Sequence, residues 1–180
     1  AGRPVRQLER GPAALLQDAM DARFGPGAVL VTHRARQGSR SGELLAGTDG
    51  VNPPWPEAVA ADITVINHGV NDLRAAVPVE VYKANLRALA PTIYQTPTPV
   101  ALNPTPAYAQ AMREVAAGKP VADVDAYVRA LPDWPRYFPD GTHPSADLYE
   151  MMAAKVVAPA LLPLVAALRC ERAPRAVAAR

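Results

Sequence analysis

The sequence predicts a three-layer α/β/α domain in which helices cover both faces of a parallel β-sheet. Short apolar runs of strand length alternate along the chain with longer segments whose apolar residues recur at helical spacing, a pattern typical of β-α-β units. Residues 62–67 are almost continuously apolar or β-branched, as expected for a strand that is buried on both faces. With 180 residues, of which 49% are hydrophobic, the chain can form one sizeable core.

The predicted strands and helices alternate along the chain, as a parallel sheet with helices on both faces requires. Apolar and β-branched runs predict strands at residues 28–32, 62–67, 92–95 and 121–124. Helical spacing predicts helices at residues 8–24, 42–45, 57–61, 79–89, 107–117 and 126–131, with a loop at 68–72. Gly118 suits the left-handed cap that ends a helix, and Pro144 suits the first turn of a long terminal helix.

Composition excludes several classes of function. The formal charge of +2 is small, and the basic residues gather near the C-terminus, which argues against a nucleic-acid partner. Cys170 is the only cysteine and the three histidines do not lie at ligand spacing, so no metal site is expected. Residues 156–168 are too few to span a bilayer and include two prolines, which predicts no membrane span. Residues 1–168 are expected to form one domain, followed by a disordered basic tail at 169–180.

A carboxylate and an imidazole lie three residues apart in the run Asp140-Gly141-Thr142-His143. Residues at this spacing face the same side of a helical turn, so the two side chains can converge. An aspartate that accepts a hydrogen bond from one imidazole nitrogen leaves the other nitrogen free to take a proton from a nucleophile. His143 is therefore a candidate general base, and Asp140 is a candidate for the acid that orients it.

Three segments of the chain together resemble the SGNH, or GDSL-type, hydrolases. The loop His68-Gly69-Val70-Asn71-Asp72 is similar to the third sequence block of that family, and the run from Asp140 to His143 is similar to the fifth. The segment 33–41, followed by two leucines, has the shape of the second block. The resemblance covers roughly residues 29–152, and it implies the SGNH hydrolase fold, with a parallel sheet of flavodoxin-like order.

The same resemblance implies roles for individual residues. His143 is the general base and Asp140 orients it, while the backbone N–H of Gly38 and the side-chain amide of Asn71 form the oxyanion hole. Such donors stabilise the negative charge that acyl transfer builds on a carbonyl oxygen. The implied activity is serine ester hydrolysis through an acyl-enzyme, on a small-molecule ester and without a cofactor. Asp72, next to the oxyanion residue, is expected to cap a helix or turn.

The nucleophile of the family, a serine in a Gly-Asp-Ser motif at the end of the first strand, has no counterpart in the chain. Ser145 is interpreted as a helix N-cap, and Ser39 and Ser41 as loop hydroxyls that could serve only as substitutes. We therefore expect the nucleophile and the central first strand to lie upstream, and the chain to be inactive as given. Either cytoplasm or secretion would be compatible with that arrangement.

Two alternatives remain at this stage. The domain could be catalytically dead and keep its cleft for binding an acylated or glycosidic ligand. A nucleotide-binding domain of flavodoxin-like order is less favoured, because no strand is followed by a Gly-rich phosphate loop that opens a helix. The sequence does not identify the ester or the oligomeric state.

Overall fold

A computed structural model describes residues 11–55, 57, 61–99 and 106–172 of the chain. Its strands are β1 (Val65–Ile66), β2 (Ile93–Gln95) and β3 (Val121–Ala122). Its helices are α1 (Pro12–Phe24), α2 (Ser41–Ala46), α3 (Val70–Arg74), α4 (Val79–Leu89), α5 (Ala107–Val115), α6 (Val124–Arg129), α7 (Ala146–Met152) and α8 (Ala158–Arg172). A 3-10 turn covers Trp134–Tyr137 and a π-helical turn covers Ala153–Val157.

The three strands form one parallel sheet in the order β1-β2-β3. Val65 lies opposite Ile93, and Tyr94 lies opposite Val121. Each crossover between these strands passes through helices, as parallel pairing requires. This parallel sheet with its helices is consistent with the predicted three-layer α/β/α fold.

Two hydrophobic cores cover the two faces of the sheet, because successive side chains of a strand point in opposite directions. Ile93 packs in a first core with residues of α1, α6, α7 and α8, among them Met20 and Leu148. Its neighbour Tyr94 packs in a second core with residues of α2, α4 and α5, among them Leu86 and Met112. The helices are therefore divided between the faces as a layered α/β fold requires.

The predicted strand at residues 28–32 is not a strand in the structure. Residues 28 and 29 form a bend, residues 30–32 have no regular structure, and none of them pairs with a strand among the described residues. The Gln17 side chain, and not a neighbouring strand, bonds to the backbone of this segment. Its amide nitrogen donates to the Val29 carbonyl over 2.9 Å, and its oxygen accepts from the Val31 N–H over 2.8 Å. Leu30 between them is 83% exposed. An apolar run becomes a strand only where a neighbouring strand is present, and here a side chain has satisfied the backbone instead.

The edge of β1 that faces away from β2 is also unpaired among the described residues. Only Val65 and Ile66 of the predicted 62–67 strand pair with β2, and Val65 is exposed. The predicted strand at 121–124 likewise ends early, because Asp123 caps α6 and Val124 begins that helix. The expected loop at 68–72 contains the start of α3 at Val70.

The terminal helices run without a break over Ala146–Arg172, a length of 27 residues that includes the π-helical turn. Pro159 has no N–H group to donate to the carbonyl of Lys155. The π-helical turn, in which hydrogen bonds join residues five positions apart, covers this part of the helix. The expectation of no membrane span stays a prediction, because the apolar stretch at 156–168 is part of this longer helix. By length and composition alone it could cross a membrane, a test that core helices also pass.

The first four residues of the predicted disordered tail are helical instead. Residues 169–172 form the last turn of α8, where Arg169 donates to the Ala28 carbonyl and Arg172 forms an ion pair with Asp62. These two contacts fix the end of the helix to the N-terminal half of the chain. Residues 173–180, and most of the predicted helical turn at 57–61, lie outside the described residues.

Candidate active site

The Asp140 and His143 side chains form a hydrogen bond in the turn before α7. The ring Nδ1 of His143 lies 2.6 Å from Oδ2 of Asp140. The other oxygen of Asp140 accepts the backbone N–H groups of Thr142 and His143, over 2.9 and 2.7 Å. One carboxylate therefore both shapes the turn and orients the ring, and the Nε2 atom of His143 contacts no hydrogen-bond partner among the described residues.

Electrostatics keep this carboxylate ionised. Hydrogen bonds from the His143 ring and from the backbone N–H groups of His143 and Thr142 hold the pKa of the Asp140 carboxyl well below its usual range. Both side chains are exposed to solvent. The Ser145 hydroxyl accepts the N–H of Leu148 and caps α7, as predicted, which fixes the helix that follows the turn.

Asn71 and the Gly38 loop meet at the carboxyl end of β1. The Asn71 side-chain nitrogen donates to the Ser39 carbonyl over 3.1 Å. A side-chain amide carries two N–H donors, so this bond leaves one N–H for another acceptor. Gly38 lies at φ 81°, a conformation that glycine adopts at low cost, and its N–H donates to no described group. The two predicted oxyanion donors thus lie on segments that a direct hydrogen bond joins, Asn71 in the first turn of α3 and Gly38 in the loop before α2.

Asp72 has a larger role than the expected turn cap. Its side chain is 0% exposed and accepts the Ser41 hydroxyl over 2.6 Å and the Ser41 N–H over 3.1 Å. Asn85 of α4 donates to the same hydroxyl over 3.1 Å. Because Asp72 follows Asn71 and Ser41 begins α2 beyond Gly38, this buried network holds the two loops in a fixed relation. Sequence reasoning missed it, since nothing local joins residues that lie 31 positions apart.

His68 lies beneath the same loops. Its Nε2 atom is 3.3 Å from the Ser39 hydroxyl, and its carbonyl accepts the Tyr82 hydroxyl over 2.6 Å. Burial lowers the pKa of the His68 imidazole, against the opposing effect of the nearby Asp72 and Asp49 carboxylates. His68 is therefore neutral at physiological pH and packs under the site.

The hydroxyls of Ser39 and Ser41 both have structural partners. Ser39 is buried and donates to the Arg36 carbonyl over 2.9 Å, while Ser41 is 0% exposed and donates to Asp72. The Ser39 hydroxyl also lies 3.3 Å from Nε2 of His68, where the donor depends on the tautomer of the ring, whereas the Ser41 hydroxyl bonds to no histidine among the described residues. Within the described residues, no group of three or more His, Cys, Asp or Glu side chains could hold a metal ion.

The predicted site residues therefore form two observed pairs: Asp140 with His143, and Asn71 with the loop of Gly38. The approach of one pair to the other stays a prediction, as do the catalytic roles.

Comparison with known protein families shows the family to which the chain belongs. Residues 1–151 match the GDSL-like Lipase/Acylhydrolase family, and since this is most of the sequence, the chain belongs to that family. Members of the family act as ester hydrolases, which supports a small-molecule ester as substrate. No curated protein and no solved structure matches the chain.

Proposed function

We propose that this chain supplies the general base, its orienting acid and the oxyanion donors of a serine ester hydrolase. The observation that carries the proposal is the 2.6 Å contact between His143 Nδ1 and Asp140 Oδ2. It leaves Nε2 as the nitrogen that can accept a proton, in the arrangement that serine hydrolases share.

In this mechanism Nε2 of His143 takes the proton of a serine hydroxyl while the serine oxygen attacks the ester carbonyl. The carbonyl oxygen becomes an oxyanion, which accepts the free side-chain N–H of Asn71 and the backbone N–H of Gly38. His143 then gives its proton to the departing alcohol and leaves an acyl-enzyme. Water, deprotonated by the same nitrogen, releases the acid and restores the serine.

We further propose that the nucleophile comes from a Gly-Asp-Ser segment upstream of Ala1. One feature of the sheet supports this placement: the edge of β1 that faces away from β2 is unpaired among the described residues. A parallel strand added at that edge would pair with β1. Its carboxyl end would lie at the same edge of the sheet as Asn71, which is where open α/β sheets present their sites.

The test is hydrolysis of p-nitrophenyl acetate by two proteins, the 180-residue chain and a version extended upstream through the Gly-Asp-Ser segment. We expect turnover only in the extended protein, abolished by His143→Ala and reduced by Asp140→Asn. Asn71→Ala should lower kcat about a hundredfold to a thousandfold with little change in KM, because the lost donor acts in the transition state.

Two control variants show whether a loss of turnover reflects the substituted residue or general damage to the protein. His33→Ala removes an exposed histidine, and Ser39→Ala removes the hydroxyl that lies 3.3 Å from the His68 ring; both should retain turnover. Turnover by the unextended chain that disappears in Ser39→Ala would contradict the upstream nucleophile. If the extended protein folds but hydrolyses no ester, the alternative of a catalytically dead domain that binds an acylated or glycosidic ligand takes its place.

We also propose that the terminal helix belongs to the protein core and that the chain neither spans a membrane nor binds nucleic acid. Met152, Val157 and Leu161 of this helix are buried in the first core. The charge of +2 provides no strong field for a polyanion.

A further inference from the structure

The hydroxyl of Tyr82 in α4 holds the backbone just ahead of Asn71. The Tyr82 side chain is 0% exposed, and its ring packs against Tyr108 with the ring centres 5.1 Å apart. Its hydroxyl donates to the carbonyl of His68 over 2.6 Å. Burial raises the pKa of the Tyr82 hydroxyl well above its usual value, so the group stays protonated and remains a donor at neutral pH. This contact therefore fixes the peptide group that joins His68 to Gly69.

Gly69 is the joint between the sheet and α3, the helix that carries Asn71. It lies at φ 142°, a conformation that other residues adopt only with strain. A Cβ atom at this position would lie 2.9 Å from the Tyr82 hydroxyl and 2.8 Å from Pro97. Because glycine has more backbone freedom than any other residue, its conformation here depends on the groups packed around it. The direction in which α3 leaves the sheet therefore depends on the Tyr82 hydroxyl.

Asn71 is the second residue of α3, two positions after this joint. One N–H of its side-chain amide donates to the Ser39 carbonyl, which leaves the other N–H as the proposed oxyanion donor. Such a donor stabilises the transition state when it lies about 2.7–3.1 Å from the oxyanion. A displacement of about 1 Å at a reacting site can lower a rate about a hundredfold. A small movement at Gly69 would therefore displace the amide and slow the reaction.

We infer that Tyr82 is a positioning residue, which holds the Asn71 amide in place for the oxyanion through the hydrogen bond to the His68 carbonyl. The inference rests on the proposed function, since it concerns the reaction in which Asn71 acts. Because Tyr82 is fully buried, it acts on that reaction only through the backbone that it holds.

Tyr94 of β2 provides a matched control. It is 1% exposed, and its hydroxyl also donates to a backbone carbonyl, that of Leu86 in α4, over 3.1 Å. The Leu86 carbonyl also accepts the N–H of Ala90 over 3.0 Å. Tyr82→Phe and Tyr94→Phe each remove one hydroxyl and keep the ring, so both should fold and lose a similar amount of stability. Only Tyr82→Phe loses a contact next to Asn71.

The first measurement is the hydrolysis of p-nitrophenyl acetate by the protein extended upstream through the Gly-Asp-Ser segment. We expect Tyr82→Phe to lower kcat about tenfold to a hundredfold with little change in KM, since the displaced donor acts in the transition state. Tyr94→Phe should leave kcat within about twofold of the parent. In the Asn71→Ala background, Tyr82→Phe should cause no further loss, because the group that it positions is already gone.

The second measurement needs no turnover and uses the 180-residue chain. Hydrogen exchange of the Asn71 side-chain amide is followed by NMR, with Asn71→Ala to assign its signals. Because one N–H of this amide is bonded to the Ser39 carbonyl, it should exchange more slowly than an amide that is bonded only to water. We expect Tyr82→Phe to speed this exchange about tenfold, and Tyr94→Phe to leave it unchanged.

Equal kcat values for the two tyrosine variants, an effect of Tyr82→Phe on KM alone, an additive loss in the Asn71→Ala background, or unchanged exchange of the Asn71 amide in Tyr82→Phe would overturn the inference. A Tyr82→Phe protein that fails to fold while Tyr94→Phe folds would also overturn it, because the hydroxyl would then stabilise the whole fold and not the position of Asn71. If the extended protein hydrolyses no ester, the proposed function fails, and the exchange rates alone decide whether Tyr82 positions Asn71.

Discussion

Replacing Asp72 by asparagine removes the charge at the centre of the buried network and keeps its shape. Asp72 accepts two donors of Ser41, and the side chain is 0% exposed, so water cannot replace a lost partner. A hydrogen bond to a charged group contributes roughly 1.5–3 kcal/mol, against about 1 kcal/mol for a neutral one. Asparagine has a single side-chain oxygen, and its NH₂ group would face the Ser41 N–H, so that two donors would lie opposite each other. We therefore expect Asp72→Asn to lower the free energy of unfolding by about 2–4 kcal/mol.

Urea denaturation followed by circular dichroism measures this change, with Asp133→Asn as the control. Asp133 is exposed and lies at φ 50°, where asparagine is well tolerated, so the control should stay within about 0.5 kcal/mol of the parent. Ser41→Ala should lower the free energy of unfolding by less in the Asp72→Asn background than in the parent protein, because the two side chains share one interaction.

Two results would refute this reasoning. The first is an Asp72→Asn variant whose free energy of unfolding lies within about 0.5 kcal/mol of the parent. The second is full additivity of the Asp72 and Ser41 changes, which would mean that the carboxylate and the hydroxyl do not stabilise each other.

Three further outcomes can be measured by the same denaturation assay. Gly69→Ala should lose at least about 2 kcal/mol, since Gly69 lies at φ 142° and a Cβ would approach Pro97 to 2.8 Å; unchanged stability would contradict this close contact. Burial lowers the pKa of His68, so the unfolded chain binds a proton first as pH falls below about 6.5, and stability should fall there; His68→Gln should flatten that slope. Arg113 lowers the pKa of Asp123, so this carboxylate should stabilise the protein above about pH 4 and lose the effect as pH falls through its folded pKa; in Asp123→Asn, that part of the acid transition should be absent.

Local features of the fold and site could be predicted from the sequence. The Asp140 to His143 contact was predicted from their spacing, although the two residues lie in a turn with Gly141 at φ 76° and not in the helical turn that the prediction assumed. The Ser145 cap follows from the residue type at a helix start. The helix over Val79–Leu89 was predicted with its bounds, because its apolar face is periodic.

Features that depend on tertiary partners could not be predicted. Residues 28–32 have the composition of a strand, but pairing requires a neighbour, and the Gln17 side chain bonds to their backbone instead. The Asp72 to Ser41 network joins two loops that no sequence pattern connects. The Arg129 to Asp125 pair has helical i,i+4 spacing, but the second ion pair of Asp125, with Arg113 of α5, joins two helices that no local pattern connects.

The edge of β1, which no strand among the described residues covers, has a consequence for the behaviour of the protein at high concentration. Unpaired backbone N–H and C=O groups at a sheet edge can pair with a strand of a second molecule. Val65 on this edge is exposed, and Leu30 is a further exposed apolar side chain. Because β1 has only two residues in the sheet, such pairing would be short and readily reversed by dilution. Self-association of concentrated samples should therefore begin at this edge, and a charged residue in place of Val65 is the change that would suppress it.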